Sequence, residues 1–385
     1  MATEVWILGG TGRSGRAIAA ELLSRGLSPV LVGRDATRLL NAATSLTAPA
    51  TIPARTVVAA TIEATAAEIQ RQQPAVVINT IGPFTTTAGP IVRACLPASH
   101  YVDLANDLPA VAALLDLGQQ ATAAGKTLVT GAGFGVTATE SVVVQLSQPP
   151  SQPPGQPSGP ALTKAPARVR VDMVPSLAME AGVFGEALAG TILDGFPDAR
   201  GRGRYEGRRY ENGHLVRAPI AGSPASLTLP DGSKVTTASM PLGELIAAQR
   251  ASGAPSVVSA SSEAPSSPVV RAVLPLVTTL LAIGPVRAFA RKRLAGVKFK
   301  ARERPREYSY GHARLEWPDG TVQEGWLRLG DAQAFTGAVA AEVARRLLDG
   351  QGRPGAYTPA ALFGPSLAEA CGAEYLTGET AAAPA

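Results

Sequence analysis

Between Val5 and Arg25 the chain passes from an apolar run through a glycine turn into a helical pattern, an order that few folds accommodate. Val5–Leu8 reads as a strand, Gly9-Gly10-Thr11-Gly12-Arg13-Ser14-Gly15 as the turn, and Arg16–Arg25 as a helix carrying Ala17, Ile18, Ala20, Leu22 and Leu23. Gly10, Gly12 and Gly15 satisfy G-x-G-x-x-G, and Gly9, Gly12 and Gly15 satisfy the related G-x-x-G-x-x-G. The spacing has a physical purpose. One glycine makes the tight turn, one leaves bare backbone for a pyrophosphate, and one lets the helix pack closely, with its first N–H groups aimed at the phosphates. The run Gly9–Gly15, including Thr11, Arg13 and Ser14, is therefore a candidate dinucleotide-binding loop. The competing reading, an ordinary flexible turn, is disfavoured by the order of strand, turn and helix.

A second strand, Pro29–Val32, ends in Gly33-Arg34-Asp35. A domain selective for NAD normally places an acidic side chain here, on the ribose hydroxyls. Arg34 stands there instead and would set a guanidinium against a 2′-phosphate, which favours NADP(H), with Arg13 assisting. The alternative is a solvated surface arginine. The alternation then continues: helix 36–46, strand 56–59, helix 61–72, strand 75–80, helix 89–96, strand 100–104, helix 108–124 and strand 127–130. Wholly apolar strands separated by helices imply a parallel sheet covered on both faces.

Two places in this half carry candidate chemistry. Asn79-Thr80-Ile81-Gly82-Pro83-Phe84 joins a polar strand end to a breaker pair, which puts a loop at the carboxyl edge where such sheets bind ligands. On the strand His100–Leu104, Tyr101 and Asp103 alternate and so leave on one face toward that edge. They are the candidate catalytic pair. The competing reading makes Tyr101 core and Asp103 the cap of the next turn.

The remaining sequence changes texture. Residues 147–166 are rich in Pro, Ser and Gln and sustain neither helix nor strand, so they read as a linker or insertion after a first domain of residues 1–146. From 167 to 335 strand-like alternation dominates, including a hairpin around Pro318-Asp319-Gly320, with a helix expected over Gly182–Leu193. Helices in 336–375 are expected to pack back on the core, and 376–385 to form a disordered tail. The expected fold class is thus α/β: a Rossmann-type parallel-sheet domain plus a second α+β domain with a mostly antiparallel sheet. Residues 269–294 hold an apolar run too short for a membrane span and broken by Pro275 and Pro285. They read first as buried or pocket-lining helices, and second as a surface for a lipid-like substrate or peripheral membrane contact.

Composition excludes several classes. The 385 residues, 45% hydrophobic, are enough for two domains. A net charge of +5 is small for this length, and the surplus comes mostly from 287–314, so no nucleic-acid partner is expected. Cys95 and Cys371 are too few for a disulfide framework or a structural zinc site, which fits a reducing cytoplasm. His100, His214 and His312 lack metal-ligand spacing, and no metal is expected. The opening residues read as a first strand rather than a secretory signal. None of Tyr101, Tyr205, Tyr210, Tyr308 and Tyr310 is followed four places on by lysine, which removes the short-chain dehydrogenase proton donor.

The glycine loop, Gly33-Arg34, Asn79–Phe84, Val92-Arg93-Ala94-Cys95, His100-Tyr101-Val102-Asp103 and Gly131-Ala132-Gly133-Phe134 together resemble the saccharopine dehydrogenase-like NADP-binding oxidoreductases, nearest to the trans-acting enoyl reductase-type members. The resemblance covers residues 4–145 well and the rest loosely. It implies that Gly9–Gly15 and Arg34 hold NADP(H), and that Asn79, Thr80, Gly82, Pro83 and Phe84 lie beside the nicotinamide. It further implies reduction of an enoyl C=C bond in a hydrophobic acyl, lipid or polyketide-type substrate, carried or free. An imine (C=N) or carbonyl reductase is the alternative, and a non-catalytic NADP-binding sensor the third reading. One departure stands out. Where relatives resemble Cys-Gly-Phe-Asp-Ser-Val-Pro, this chain has Gly131-Ala132-Gly133-Phe134-Gly135-Val136-Thr137, so a contact carried by the Asp-Ser pair does not transfer. Thr137, Thr139 and Glu140 are the nearby replacements, Glu140 otherwise lying in a solvated first helical turn.

Overall fold

The computed structural model describes residues 4–46, 54–148, 165–178, 182–183, 207–219, 221–264, 273, 276–277, 279–301 and 303–377. The chain gathers into two compact units: Met1–Thr137 with Ala332–Gly372, and Ala138–Asp331 with Ala373–Ala385.

In the first unit, β1 (Val5–Leu8), β2 (Pro29–Gly33), β3 (Arg55–Val58), β4 (Val76–Asn79), β5 (His100–Asp103) and β6 (Thr127–Val129) alternate with α1 (Arg13–Ser24), α2 (Ala36–Ser45), α3 (Ile62–Gln72), α4 (Phe84–Cys95), α5 (Leu108–Leu115) and α6 (Gly118–Ala123). A later strand, Gly355–Tyr357, joins them in a seven-stranded parallel sheet ordered Gly355–Tyr357, β6, β5, β4, β1, β2, β3. Every residue of β1 and β4 is buried, as a sheet with helices on both faces requires. Helix starts follow capping chemistry: Asp35 accepts from the Arg38 N–H, Thr61 from Ala64 and Asp107 from Ala110, each at 3.0 to 3.1 Å. The strand order reverses at β1 and β4, and open α/β sheets bind ligands in the crevice at such a reversal.

The helix Ala332–Leu348 belongs to this unit as well. A methyl group on Gly337 would come within 3.1 Å of Ala17 Cβ, so the absence of a side chain there lets this helix lie against α1. Three boundaries differ from the sequence reading. α1 starts at Arg13 rather than Arg16, α4 begins at Phe84 rather than Gly89, and the single helix expected over 108–124 is divided into α5 and α6.

The second unit holds a mixed, mostly antiparallel sheet ordered His214–Arg217, Arg208–Glu211, Ser256–Ser261, β7 (Arg168–Val174), Ser309–Glu316, Val322–Leu329, Glu374–Thr377, with Lys234–Ser239 also paired to Ser256–Ser261 and Ala225–Thr228 to Lys234–Ser239. Only the pairing of β7 with Ser256–Ser261 is parallel. The hairpin 309–329 turns through Gly320, whose φ of 88° suits glycine. Alternate residues of one face, including Val169, Val171, Ala313, Leu315 and Leu327, form its core. The helix α7 (Phe134–Ser147) starts in the first unit and continues from Ala138 in the second, where a side chain on Gly311 would collide with Ala138 backbone at 2.8 Å.

Several expectations change here. Gly182–Val183 is a short strand paired with Lys298–Phe299, not the start of a helix, and 184–193 lie outside the described residues. Of the linker 147–166, Ser147 ends α7 and 149–164 lie outside the described residues. Leu376 and Thr377, expected in a disordered tail, are paired in the sheet. Among the described residues of 269–294, Leu281 is buried, but the helix Gly284–Ala295 contains no buried residue, and Leu276, Ile283 and Phe289 are exposed. Among the described residues no helix is long and apolar enough to cross a membrane.

Candidate functional site

The glycine loop closes on β2. The N–H groups of Gly9 and Gly10 both donate to Val32 carbonyl, at 2.9 and 3.1 Å, and Gly12 donates to Gly9 carbonyl at 2.9 Å. Gly9 has φ +78°, and a Cβ there would sit 2.6 Å from Thr80 Oγ1. A Cβ on Gly15 would sit 2.5 Å from Gly9 carbonyl oxygen and 2.9 Å from Gly10 Cα, so α1 can approach the loop only with glycine at that place. Gly12 is exposed and caps α1 with no side-chain hydrogen bond, so the cap residue's side chain satisfies none of the first-turn N–H groups. The arrangement fits a dinucleotide pyrophosphate: bare backbone, uncapped helix start, and no room for side chains behind them.

Around the loop the polar residues divide. Arg13 is exposed, and Ser14 Oγ accepts from Gln333 Nε2 at 3.1 Å, which ties the loop to the helix Ala332–Leu348. Arg16 Nη1 donates to Thr11 carbonyl at 2.6 Å. Arg34 is exposed just past the end of β2, and Thr11, Arg16, Arg38, Asn41, Ala42 and Ser45 line a groove of about 350 Å³, a lining that does not include Arg34. Arg38 and Asn41 were not singled out from sequence. The one signal was Asp35, whose cap on the Arg38 N–H fixes where the first turn of α2 places Arg38.

The carboxyl edge is a chain of hydrogen bonds across β1, β4, β5 and β6. Thr80 Oγ1 donates to Leu8 carbonyl at 2.7 Å. Asn79, fully buried, accepts from Ile81 N–H at 3.0 Å and donates to Tyr101 Oη at 3.1 Å. Tyr101 Oη donates to Asp103 Oδ2 at 3.0 Å, and Asp103 Oδ1 accepts from Ala105 N–H, Thr130 Oγ1 and Gly131 N–H at 2.8 to 3.2 Å. Gly82 and Pro83 stay exposed at the rim, with Phe84 half-buried at the start of α4.

Tyr101 and Asp103 therefore share a face, as alternation implied, but both side chains are inside the fold, 0% and 1% exposed. Burial pushes the Asp103 carboxyl up to about 6 against the pull of its four donors. Burial, with the Asp103 charge next, pushes the Tyr101 phenol well above its ordinary value. The pair braces the ends of three strands.

The segment after β6 folds for backbone reasons. Gly131 has φ +75°, and a Cβ there would meet Val136 at 2.9 Å. Ala132 N–H donates to Asp103 carbonyl at 2.8 Å, and Phe134 N–H to Thr336 Oγ1 at 3.1 Å. Thr137, Thr139 and Glu140 are all buried, so the solvated first turn expected for Glu140 does not occur.

The second unit holds a separate ionic cluster on its sheet. His312, 1% exposed, meets Asp172 Oδ2 through Nδ1 at 3.0 Å and Glu324 Oε1 through Nε2 at 2.9 Å. Arg170 and Thr237 both donate to Asp172 Oδ1, at 2.9 and 2.6 Å. Among the described residues no group of acidic, His and Cys side chains is arranged to hold a metal.

No family model matches the chain, and no curated protein does. Solved structures do. The apo saccharopine dehydrogenase (L-Glu forming) of Saccharomyces cerevisiae superposes with a TM-score of 0.60 at 12% identity, covering 98% of this chain and 100% of that one. The NADPH-dependent reductase YwfH, involved in bacilysin biosynthesis, gives 0.30 at 14% identity over 34% of this chain and 76% of its own. Pseudomonas aeruginosa RhlG with NADP gives 0.29 at 14% identity over 34% and 72%. The last two reach only a third of the chain, whereas the first spans it, and at 12% identity that likeness is one of architecture. The chain has the α/β fold seen in saccharopine dehydrogenase.

Proposed function

We propose that this protein is an NADP(H)-dependent oxidoreductase. The observation that carries the reading is the glycine loop, whose crowding behind Gly9 and Gly15 and exposure at Gly12 serve a pyrophosphate, flanked by Arg34 and the Arg38-lined groove on the side where a 2′-phosphate would lie. Arg34 and Arg38 would hold that phosphate, and Thr80, Gly82 and Pro83 would border the nicotinamide. When bound, the cofactor supplies a hydride. The chain's part is to hold the acceptor against it and keep competing water out.

Tyr101 and Asp103 enter this proposal as positioning residues. Their buried hydrogen bonds fix Asn79, and through it the loop 80–83, so neither is available to touch substrate. Proton delivery then falls to water or to a group outside this brace.

For the bond reduced, the motif resemblance supports an enoyl C=C bond in a hydrophobic acyl substrate, with an imine (C=N) bond formed from an amino acid and a keto acid as the alternative. Following NADPH absorbance with crotonyl or longer enoyl thioesters, and separately with amino acid and keto acid pairs, tests both. Turnover with the thioesters alone upholds the enoyl reading and turnover with the pairs alone transfers the assignment to imine reduction. NADPH binding without turnover on either would leave the non-catalytic role.

A further inference from the structure

Most of the large apolar side chains exposed among the described residues lie between Val273 and Val297. Leu276 and Phe289 are each 62% exposed, Ile283 49% and Leu280 46%. Scattered apolar residues on a surface need no explanation, but a run of them does. The helix Gly284–Ala295 has no buried residue on any side. Arg287, Arg291, Lys292 and Arg293 lie on it, and Lys298 and Lys300 follow within a turn or two of chain. Between Glu263 and Glu303 the sequence has no acidic residue at all. Cations and apolar groups are also interleaved in space, since the Arg293 guanidinium sits 5.3 Å from the centre of the Phe289 ring.

We infer that segment 279–298 docks on an anionic lipid bilayer surface. Aliphatic and aromatic side chains that water would otherwise surround can enter the boundary between headgroups and acyl chains, while arginine and lysine meet anionic headgroups at the same depth. Charge decides against the other occupants. A second copy of this segment would bring cations against cations, since residues 264–302 carry no carboxylate of their own. A nucleic acid would satisfy the cations and leave Leu276, Ile283 and Phe289 in water. A twelve-residue helix is too short to span a bilayer, so the segment lies on the surface rather than through it.

The test is co-sedimentation of the full chain with sucrose-loaded vesicles of phosphatidylcholine alone and of phosphatidylcholine with about a third phosphatidylglycerol. At 0.1 M salt the anionic vesicles should bind at least tenfold more tightly, with the difference shrinking as salt rises. Each cation near an anionic leaflet is worth about fivefold in affinity, so Arg291→Glu with Lys292→Glu and Arg293→Glu should weaken binding by 100-fold or more. Phe289→Ser should weaken it by about tenfold and leave the salt dependence in place. These residues are exposed, so unchanged circular dichroism and melting are expected in every variant. Equal sedimentation with both vesicle types, no sedimentation, or a triple variant that binds as the parent does would overturn the inference. So would a dimer in light scattering that Phe289→Ser dissociates.

Discussion

Asp103 shows how one residue's surroundings can be read as a pH dependence. Its carboxyl is pushed from an ordinary 3.8 to about 6, chiefly by burial, so the folded protein holds the proton more tightly than the unfolded chain does. The stability contributed by this group is therefore complete below about pH 4 and declines as the pH rises through 6, by on the order of 3 kcal/mol. Asp103→Asn keeps an acceptor at Oδ1 and removes the titration. Urea unfolding at pH 4.5 and 6.5 should show the parent losing more stability than the variant over that interval, and parallel losses would refute the assignment. Alternation along β5 was legible in the sequence, including the shared face of Tyr101 and Asp103. Alternation alone could not say whether that face was open, because a parallel sheet with helices on both sides buries both faces equally. Arg38 was illegible for a different reason: an arginine on an exposed helical turn leaves no periodic mark, and only the groove beside Thr11 gives it meaning.

Between elements, a polar cluster joins β7 to the hairpin 309–329 through Asp172, His312 and Glu324. Burial pulls the His312 value down, but its hydrogen bonds to both carboxylates outweigh it and the net direction is up. Asp172 is pushed up by burial and held down overall by His312 and Arg170, while His312 is the main cause that lowers Glu324. The histidine's contribution is thus full below its ordinary 6.5 and fades as the pH climbs through the raised value. The carboxylates contribute above the ordinary range near 4 and fade on acidification. Removing the central charge leaves Asp172 buried with Arg170 as its remaining ionic partner. His312→Ala should cost roughly 3 kcal/mol at pH 6, measured as the shift of the second unit's urea transition, and a cost under about 1 kcal/mol would mean the cluster contributes little. Strand and helix order in the first unit followed from periodicity because the elements are long and sharply punctuated. The three-residue strand Gly355–Tyr357 gave no such signal, since it joins the edge of a sheet whose other strands end more than two hundred residues earlier.

Over the whole molecule, the sequence pointed to a parallel α/β unit and a mostly antiparallel one, and both are present. Membership of the first unit was less legible. The helix Ala332–Leu348 meets α1 through the bare backbone of Gly337, a contact that depends on two places far apart in the chain. The apolar stretch near residue 280 left two readings open in the sequence, buried helices or a surface, because side chains of that kind are usually inside and sequence does not record what covers them. The proposed cofactor site is the loop at Gly9–Gly15 with the cations Arg34 and Arg38. Fluorescence titration with NADPH and NADH, on the parent and on Arg34→Ala, tests it most directly. NADPH should bind more tightly than NADH, and the variant should lose about 1.5 to 3 kcal/mol with NADPH alone, as expected when a guanidinium–phosphate contact is removed. If neither nucleotide binds, or if the variant weakens both equally, the loop is scaffold and the proposed cofactor site is wrong.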